Sequence, residues 1–181
     1  MIRTITLGVC AILALLGTVV HSNQVITWST DSPKPVEMVN ILTNAETDLF
    51  NRVRNKFPHS DEDVVKTAVQ HKAYKDFPTK SDVLALISVE SGFRRCPTDG
   101  KGSFGPTQVN VKYHNIDPAL VCDPEINIHE GKKILRSYFI LLGTEKAAII
   151  AYNAGPKNYR NGNYEEDYYH KFVRAKKSLG L

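Results

Sequence analysis

A single carboxylate interrupts the most apolar part of the chain. Residues 83–93 read VLALISVESGF, and Val83, Leu86 and Ile87 recur in it at helical spacing. Glu90 takes the next position on that face, where the pattern asks for another apolar residue. Because burial disfavours the charged form, we expect the pKa of Glu90 to be raised. A carboxylic acid still protonated near neutral pH can serve as the general acid of a glycosidase.

The helix that carries Glu90 has recognisable ends. Thr79 followed by Asp82 resembles a capping box, and Gly92 is a natural C-terminal stop. Glu90 then lies in the last turn, where the negative end of the helix dipole also disfavours a carboxylate. The alternative is an ordinary glutamate at a helix end, whose carboxylate reaches water.

The segment after this helix is too rich in helix breakers to be helical. Residues 94–105 contain three glycines and a proline, which predicts a shaped loop. Asp99 lies in it, nine residues after Glu90. A second carboxylate there could orient a water molecule, as in an inverting hydrolase. Alternatively Asp99 is a turn residue, because Thr98-Asp99-Gly100 is good turn chemistry.

The remaining elements are helices that can position such a site. Helical spacing predicts one helix over residues 37–57 and a second one that Ser60 and Asp63 cap. Another runs from Asp123 to Gly143, and the helix after it is capped by Thr144 and stops at residues 153–156. The last helix, from about 165 to 177, is predicted to turn three side chains inward: Tyr169, Phe172 and Val173. No alternating segment of strand length and no internal repeat is visible, so the fold is mainly α.

The N-terminal residues have the pattern of an export signal. Met-Ile-Arg precedes an apolar run from Ile5 to Val20, and we expect residues 1–22 to be a signal peptide or an uncleaved anchor. Residues 23–35 are polar with two prolines and are expected to be a linker. We divide the rest into an N-terminal helical part, residues 36–77, packed on a catalytic domain, residues 78–181.

Two cysteines remain beyond the signal region. In an exported protein the pair Cys96 and Cys122 predicts a disulfide, the alternative being two buried thiols. The spacing of a metal site is found neither in these cysteines with His114 nor among the six histidines. We therefore expect neither a metal nor a cofactor.

The net charge of +4 reflects basic residues that gather toward the C-terminus. They would suit an anionic polymer such as cell wall or nucleic acid, although such runs are usually solvated helix faces. No nucleic-acid-binding motif accompanies them, so we predict no nucleic-acid partner. The group comprises Lys157, Arg160, Lys171, Arg174, Lys176 and Lys177.

Four short motifs follow one another in order along the chain. They are Glu90-Ser91-Gly92-Phe93, Gly105-Pro106-Thr107-Gln108, Asn127-Ile128-x-x-Gly131 and Ala151-Tyr152-Asn153-Ala154-Gly155. Their order and spacing resemble the soluble lytic transglycosylase (SLT) family, over residues 78–173. The resemblance implies a lysozyme-like helical fold with an irregular loop or small hairpin after the catalytic helix.

The resemblance also assigns roles to residues. Glu90 would be the sole acid and base that cleaves the β-1,4 bond between N-acetylmuramic acid and N-acetylglucosamine, leaving a 1,6-anhydro end. Gln108 would line the glycan groove, and Tyr152 would orient Glu90 or stack near the scissile sugar. Four more residues are assigned to the groove: Ser91, Gly105, Asn153 and Tyr168.

The second motif departs from the family pattern, because Pro106-Thr107 replaces the usual Leu-Met. An apolar contact with substrate is then expected to be missing. Two other functions remain open: a lysozyme-like hydrolase that uses Glu90 with Asp99, and an inactive wall-binding or assembly component.

The resemblance places the protein in the periplasm or cell envelope. The expected partner is peptidoglycan, with a secretion, conjugation or virion assembly as a further partner. Contact with a membrane is expected only through an uncleaved signal segment.

Overall fold

The computed structural model describes residues 41–181, which belong to one compact unit that begins at residue 40. The signal peptide and linker predicted for residues 1–35 lie outside the described residues. Residues 41–181 are mainly helical, as predicted, with one small antiparallel hairpin after the third helix. The elements are α1 (Asn44–Lys56), α2 (Glu62–Gln70), α3 (Lys80–Glu90), β1 (Ser103–Phe104), β2 (Val109–Asn110), α4 (Pro124–Leu142), α5 (Glu145–Ala154), α6 (Pro156–Arg160) and α7 (Asp167–Ser178).

Side-chain caps set most of these helix boundaries. The capping box of Thr79 and Asp82 is present at α3, and Asp123 and Thr144 cap α4 and α5 as predicted. At the end of α4, Gly143 adopts a left-handed conformation with φ of 80°. None of the helices within residues 41–181 is long and apolar enough to cross a membrane.

Several predicted details of the helices were wrong. α1 begins at Asn44, where Thr43 forms a capping box with Glu46, and the start predicted at residue 37 lies outside the described residues. α2 is capped by Asp61, whose carboxylate accepts from the Val64 N–H, while the Ser60 hydroxyl donates to the Phe57 carbonyl. Val173 is 43% exposed and does not turn inward.

α3 is buried on every side. Val83, Leu84, Ala85, Leu86 and Ile87 are each at most 1% exposed. Part of the helix packs with α1 and α2 in one apolar cluster, and the rest packs with α4, α5 and α7 in a second cluster. A helix that is apolar all round belongs in the core, so Glu90 lies at the end of the most buried helix.

A disulfide joins the loop after α3 to the residue before the cap of α4. Cys96 and Cys122 are bonded, with a Cα–Cα distance of 5.1 Å, which confirms the predicted pair. The hairpin pairs Ser103 with Asn110 and lies over a third apolar cluster built on Val109, Val121 and Ile134. The loop and hairpin are thereby attached to α4.

Candidate active site

Glu90 forms a hydrogen bond with a tyrosine from the last helix. The Tyr168 hydroxyl on α7 donates to Glu90 Oε1 at the C-terminal end of α3. The two helices pack side by side, and Lys176 Nζ contacts Asp82 Oδ1 at 2.6 Å at their other ends. Packing of α7 on α3 therefore positions the partner of the candidate acid.

The pKa of Glu90 is raised from 4.5 to about 7. Burial of the carboxyl is the main cause, the Tyr168 hydrogen bond opposes it, and the negative charge of Asp99 adds to it. The predicted direction is confirmed. Burial and the neighbouring Glu90 also raise the pKa of Tyr168 well above its ordinary value, so this hydroxyl remains a donor.

A cleft of about 880 Å³ lies beside this pair. Glu90 does not line this cleft. Asp99 does line it, and Asp99 lies near enough for its negative charge to act on Glu90. Tyr152 also lines the cleft, and its pKa is raised by burial and by Glu90. The hairpin side contributes Asp99, Lys101, Ser103, Gln108, Val109, Asn110, Tyr113 and His114, and the helices contribute Ile134, Tyr138, Tyr152, Asn153, Ala154, Gly155, Pro156, Lys157 and Asn158.

Asp99 is an exposed turn residue with an anchored carboxylate. Its Oδ1 accepts from the backbone N–H of Lys101 at 2.7 Å and of Ser103 at 3.0 Å. Hydrogen bonds from Ser103 and Lys101 lower its pKa, so the group is ionised at neutral pH. The structure thus places an ionised carboxylate in the cleft, near a carboxyl group whose pKa is about 7.

Gln108 lines the cleft in a left-handed conformation with φ of 52°. Its amide nitrogen donates to the carbonyl of Pro97 at 2.8 Å and of Gly105 at 3.0 Å. Since both amide hydrogens are used, the side chain offers a ligand only its oxygen. Gly105 does not line the cleft; a Cβ there would lie 2.3 Å from Asn127 Nδ2.

Ser91, Asn153 and Tyr152 have distinct surroundings. Ser91 is 4% exposed and its hydroxyl donates to the Ile87 carbonyl at 3.1 Å, so it braces the end of α3. Asn153 is exposed and lines the cleft. The Tyr152 hydroxyl donates to the Thr107 carbonyl at 2.9 Å, while the bond to Glu90 comes from Tyr168.

A buried polar network fixes the hairpin to α4. Asn127 Nδ2 donates to the carbonyls of Phe104 at 2.9 Å and Val121 at 2.8 Å. Its Oδ1 accepts from the Thr107 N–H at 2.8 Å and lies 2.7 Å from the Thr107 hydroxyl. Both side chains are fully buried, so Thr107, which replaces the family's methionine, faces the protein interior.

Several residues of the cleft were missed by the sequence interpretation. Lys157 appeared only as one member of the basic group, and Lys101, Tyr138 and Asn158 belong to no motif. Tyr113 lines the cleft and is 74% exposed. Across residues 41–181, no group of three or more histidine, cysteine, aspartate or glutamate side chains is arranged to hold a metal ion.

Comparisons with known proteins identify the family of this chain. The family model of the transglycosylase SLT domain matches residues 67–172. Protein IpgF of Shigella flexneri is 28% identical over 119 residues, which cover 57% of this chain and 78% of that protein, and Protein IpgF of Shigella sonnei matches equally. No solved structure matches significantly. The chain belongs to the transglycosylase SLT domain family, whose members act on peptidoglycan outside the cytoplasm.

Proposed function

We propose that the protein is a lytic transglycosylase that uses Glu90 as its single acid and base. Its substrate is the β-1,4 bond between N-acetylmuramic acid and N-acetylglucosamine in peptidoglycan. The observation that carries the proposal is a carboxyl group with a pKa of about 7, held by Tyr168 beside a cleft lined with polar side chains. We place its action in the periplasm or cell envelope.

The reaction needs one carboxyl group in two protonation states. Protonated Glu90 gives its proton to the glycosidic oxygen as the bond from that oxygen to C1 of the muramic acid breaks. The resulting carboxylate then takes the proton of the sugar's own 6-hydroxyl, whose oxygen bonds to C1. Glu90 ends protonated, the product carries a 1,6-anhydro ring, and no water is consumed. A pKa near 7 suits both steps because neither protonation state is strongly favoured at neutral pH.

Tyr168 supports this cycle from its fixed position on α7. Its hydroxyl donates to the carboxylate form of Glu90 and thereby limits the rise in pKa that burial produces. The cleft offers the amide oxygen of Gln108 and the amide groups of Asn153 and Asn158, which suit sugar hydroxyls and N-acetyl groups. The network of Thr107 and Asn127 keeps the hairpin side of the cleft in place.

Asp99 supports a second candidate, a hydrolase with two carboxyl groups. It is ionised, lines the cleft and acts electrostatically on Glu90. An ionised carboxylate could activate water for attack at C1 while Glu90 protonates the leaving oxygen. The oxygen of that water would then become the anomeric hydroxyl of an ordinary reducing end, and the leaving oxygen would become the 4-hydroxyl of the N-acetylglucosamine.

Mass spectrometry of digested peptidoglycan separates the two functions. Purified sacculi are incubated with wild-type protein, Glu90→Gln and Asp99→Asn, and the released muropeptides are identified by mass. We expect anhydro ends from wild type and Asp99→Asn, and at least a ~100-fold loss for Glu90→Gln, because that variant cannot donate the proton. Products heavier by one water that vanish in Asp99→Asn would establish the hydrolase. Undiminished degradation by Glu90→Gln would refute the assignment of the acid.

A further inference from the structure

Two lysines line the cleft without an acidic partner. Lys101 lies in the loop before β1, and Lys157 lies on α6, so each of the two sides of the cleft contributes one ammonium group. Neither makes an ion pair within the described part of the chain, whereas Lys133, Lys146 and Lys176 are paired with Glu130, Glu166 and Asp82. Both cleft lysines are exposed and available to a ligand.

The other charges of the cleft do not neutralise them. Asp99 is the one acid among its lining residues, and its Oδ1 is already held by two backbone N–H groups. Burial lowers the pKa of His114, so that side chain is neutral at neutral pH. The cleft therefore carries two positive charges against one negative charge.

The basic group at the C-terminus divides in the folded protein. Lys176 is bonded to Asp82, and Lys177 lies on a separate surface beside Arg52. Lys157 is the member of that group that reaches the cleft, where Lys101, distant from it in sequence, adds a second positive charge. Folding thus brings to the cleft two positive charges that lie far apart in the sequence.

Two unpaired ammonium groups are not needed to bind the uncharged groups of a glycan. The hydroxyl and N-acetyl groups of the sugars suit the amide oxygen of Gln108 and the amide group of Asn153. Carboxylates occur in peptidoglycan on the stem peptides, which are attached to the lactyl group of the muramic acid. An ammonium group binds a carboxylate through a charge-assisted hydrogen bond, which is stronger than one to a neutral group.

We propose that Lys101 and Lys157 bind carboxylates of the stem peptides, so that the cleft selects peptide-bearing strands over uncharged or peptide-free ones. This inference rests on the proposed function for its substrate and adds a preference among peptidoglycan strands. The lactyl carboxylate that is exposed when an amidase removes the peptide is the other source of the same chemistry.

The test compares three preparations of one peptidoglycan. The first keeps its stem peptides, the second has its carboxylates converted chemically to amides, and the third has lost its peptides to an amidase. Turnover is measured with an intact Glu90, and binding to sedimented sacculi is measured in proteins that also carry Glu90→Gln, both at low and high salt. The double variant Lys101→Ala/Lys157→Ala is compared with Lys75→Ala/Lys171→Ala, which removes two exposed lysines outside the cleft and therefore the same net charge.

We expect wild-type protein and the control variant to prefer the intact preparation over the amidated one. The cleft variant should need about three- to tenfold more intact peptidoglycan for half-maximal binding, as the loss of two exposed ion pairs predicts. It should also lose the preference and most of the salt dependence.

Equal binding of intact and amidated peptidoglycan by the Glu90→Gln protein with both cleft lysines would overturn the proposal, as would an equal loss in the control variant. Undiminished binding of the peptide-free strands would assign the lysines to the lactyl carboxylate and overturn the stem-peptide assignment. Binding is measured with Glu90→Gln and therefore does not depend on turnover. If the protein with intact Glu90 shows no turnover while binding depends on the carboxylates, the proposed function is refuted and this inference stands.

Discussion

Replacing Tyr168 with phenylalanine should make Glu90 a weaker acid. The Tyr168 hydroxyl is the donor that stabilises the ionised form of Glu90 against burial and the charge of Asp99. A hydrogen bond to a charged group contributes about 1.5–3 kcal/mol. Since one pKa unit corresponds to about 1.4 kcal/mol, its loss should raise the pKa of Glu90 by about one unit or more, from about 7 toward 8.

The pH dependence of kcat/KM measures this shift. Turnover is followed by the release of soluble anhydro-muropeptides between pH 4 and pH 10. The general acid must be protonated in the free enzyme, so activity falls as pH rises through its pKa. We expect this alkaline limb to lie near pH 7 in wild type and about one unit higher in Tyr168→Phe. A general loss of activity without a shift would indicate a structural role alone.

Tyr152→Phe is the matched control, because it removes a buried hydroxyl that donates to the Thr107 carbonyl and not to Glu90. We expect its alkaline limb to remain at the wild-type position. Its stability should fall by about 1–3 kcal/mol, since a buried acceptor loses its donor. The reasoning is refuted if the limb of Tyr168→Phe stays in place or moves to lower pH, or if Tyr152→Phe moves it equally.

Two further predictions concern the attachment of the hairpin to α4, and urea unfolding measures both. Gly131→Ala should lower the free energy of unfolding by about 1–3 kcal/mol, because its Cβ would lie 2.3 Å from Thr107 Oγ1. Lys133→Ala, on the exposed side of α4, should change little, and equal stability of the two variants would contradict the packing argument. Replacing Cys96 and Cys122 with serine should cost about 3.5 kcal/mol by chain entropy, since the two residues are 26 positions apart. An unchanged urea midpoint would show that the disulfide does not lower the conformational entropy of the unfolded chain.

Local signals in the sequence predicted most of the fold. Thr79, Asp123 and Thr144 each precede an apolar helical pattern, and each caps a helix in the structure. Errors arose where neighbouring residues compete for one role. Ser60 and Asp61 can both cap α2. The Asp61 carboxylate is the cap, while the Ser60 hydroxyl donates a hydrogen bond to the Phe57 carbonyl. The short helix α6 was missed because its five residues carry no periodic pattern.

The site was predictable only where one residue carries its own signal. Glu90 is conspicuous as a charge among apolar neighbours, so its raised pKa could be inferred. Its hydrogen-bond partner could not, because Tyr168 lies 78 positions away and reaches Glu90 only through the packing of two helices. Lys101 was missed for the same reason, since only the folded hairpin brings it to the cleft.

The packing of α7 on α3 fixes the distance along α7 between Tyr168 and Lys176. One end is fixed where Lys176 contacts Asp82 and Leu179 enters the core, and the other end presents Tyr168 to Glu90. Tyr168 and Lys176 are eight positions apart on α7, which corresponds to about 12 Å of helix. Inserting or deleting one residue between them would rotate Tyr168 by about 100° relative to the fixed end. Substitutions at the exposed positions between Tyr168 and Lys176 are therefore compatible with the site as long as the register of the helix is kept, whereas a change in residue number would separate the acid from its partner.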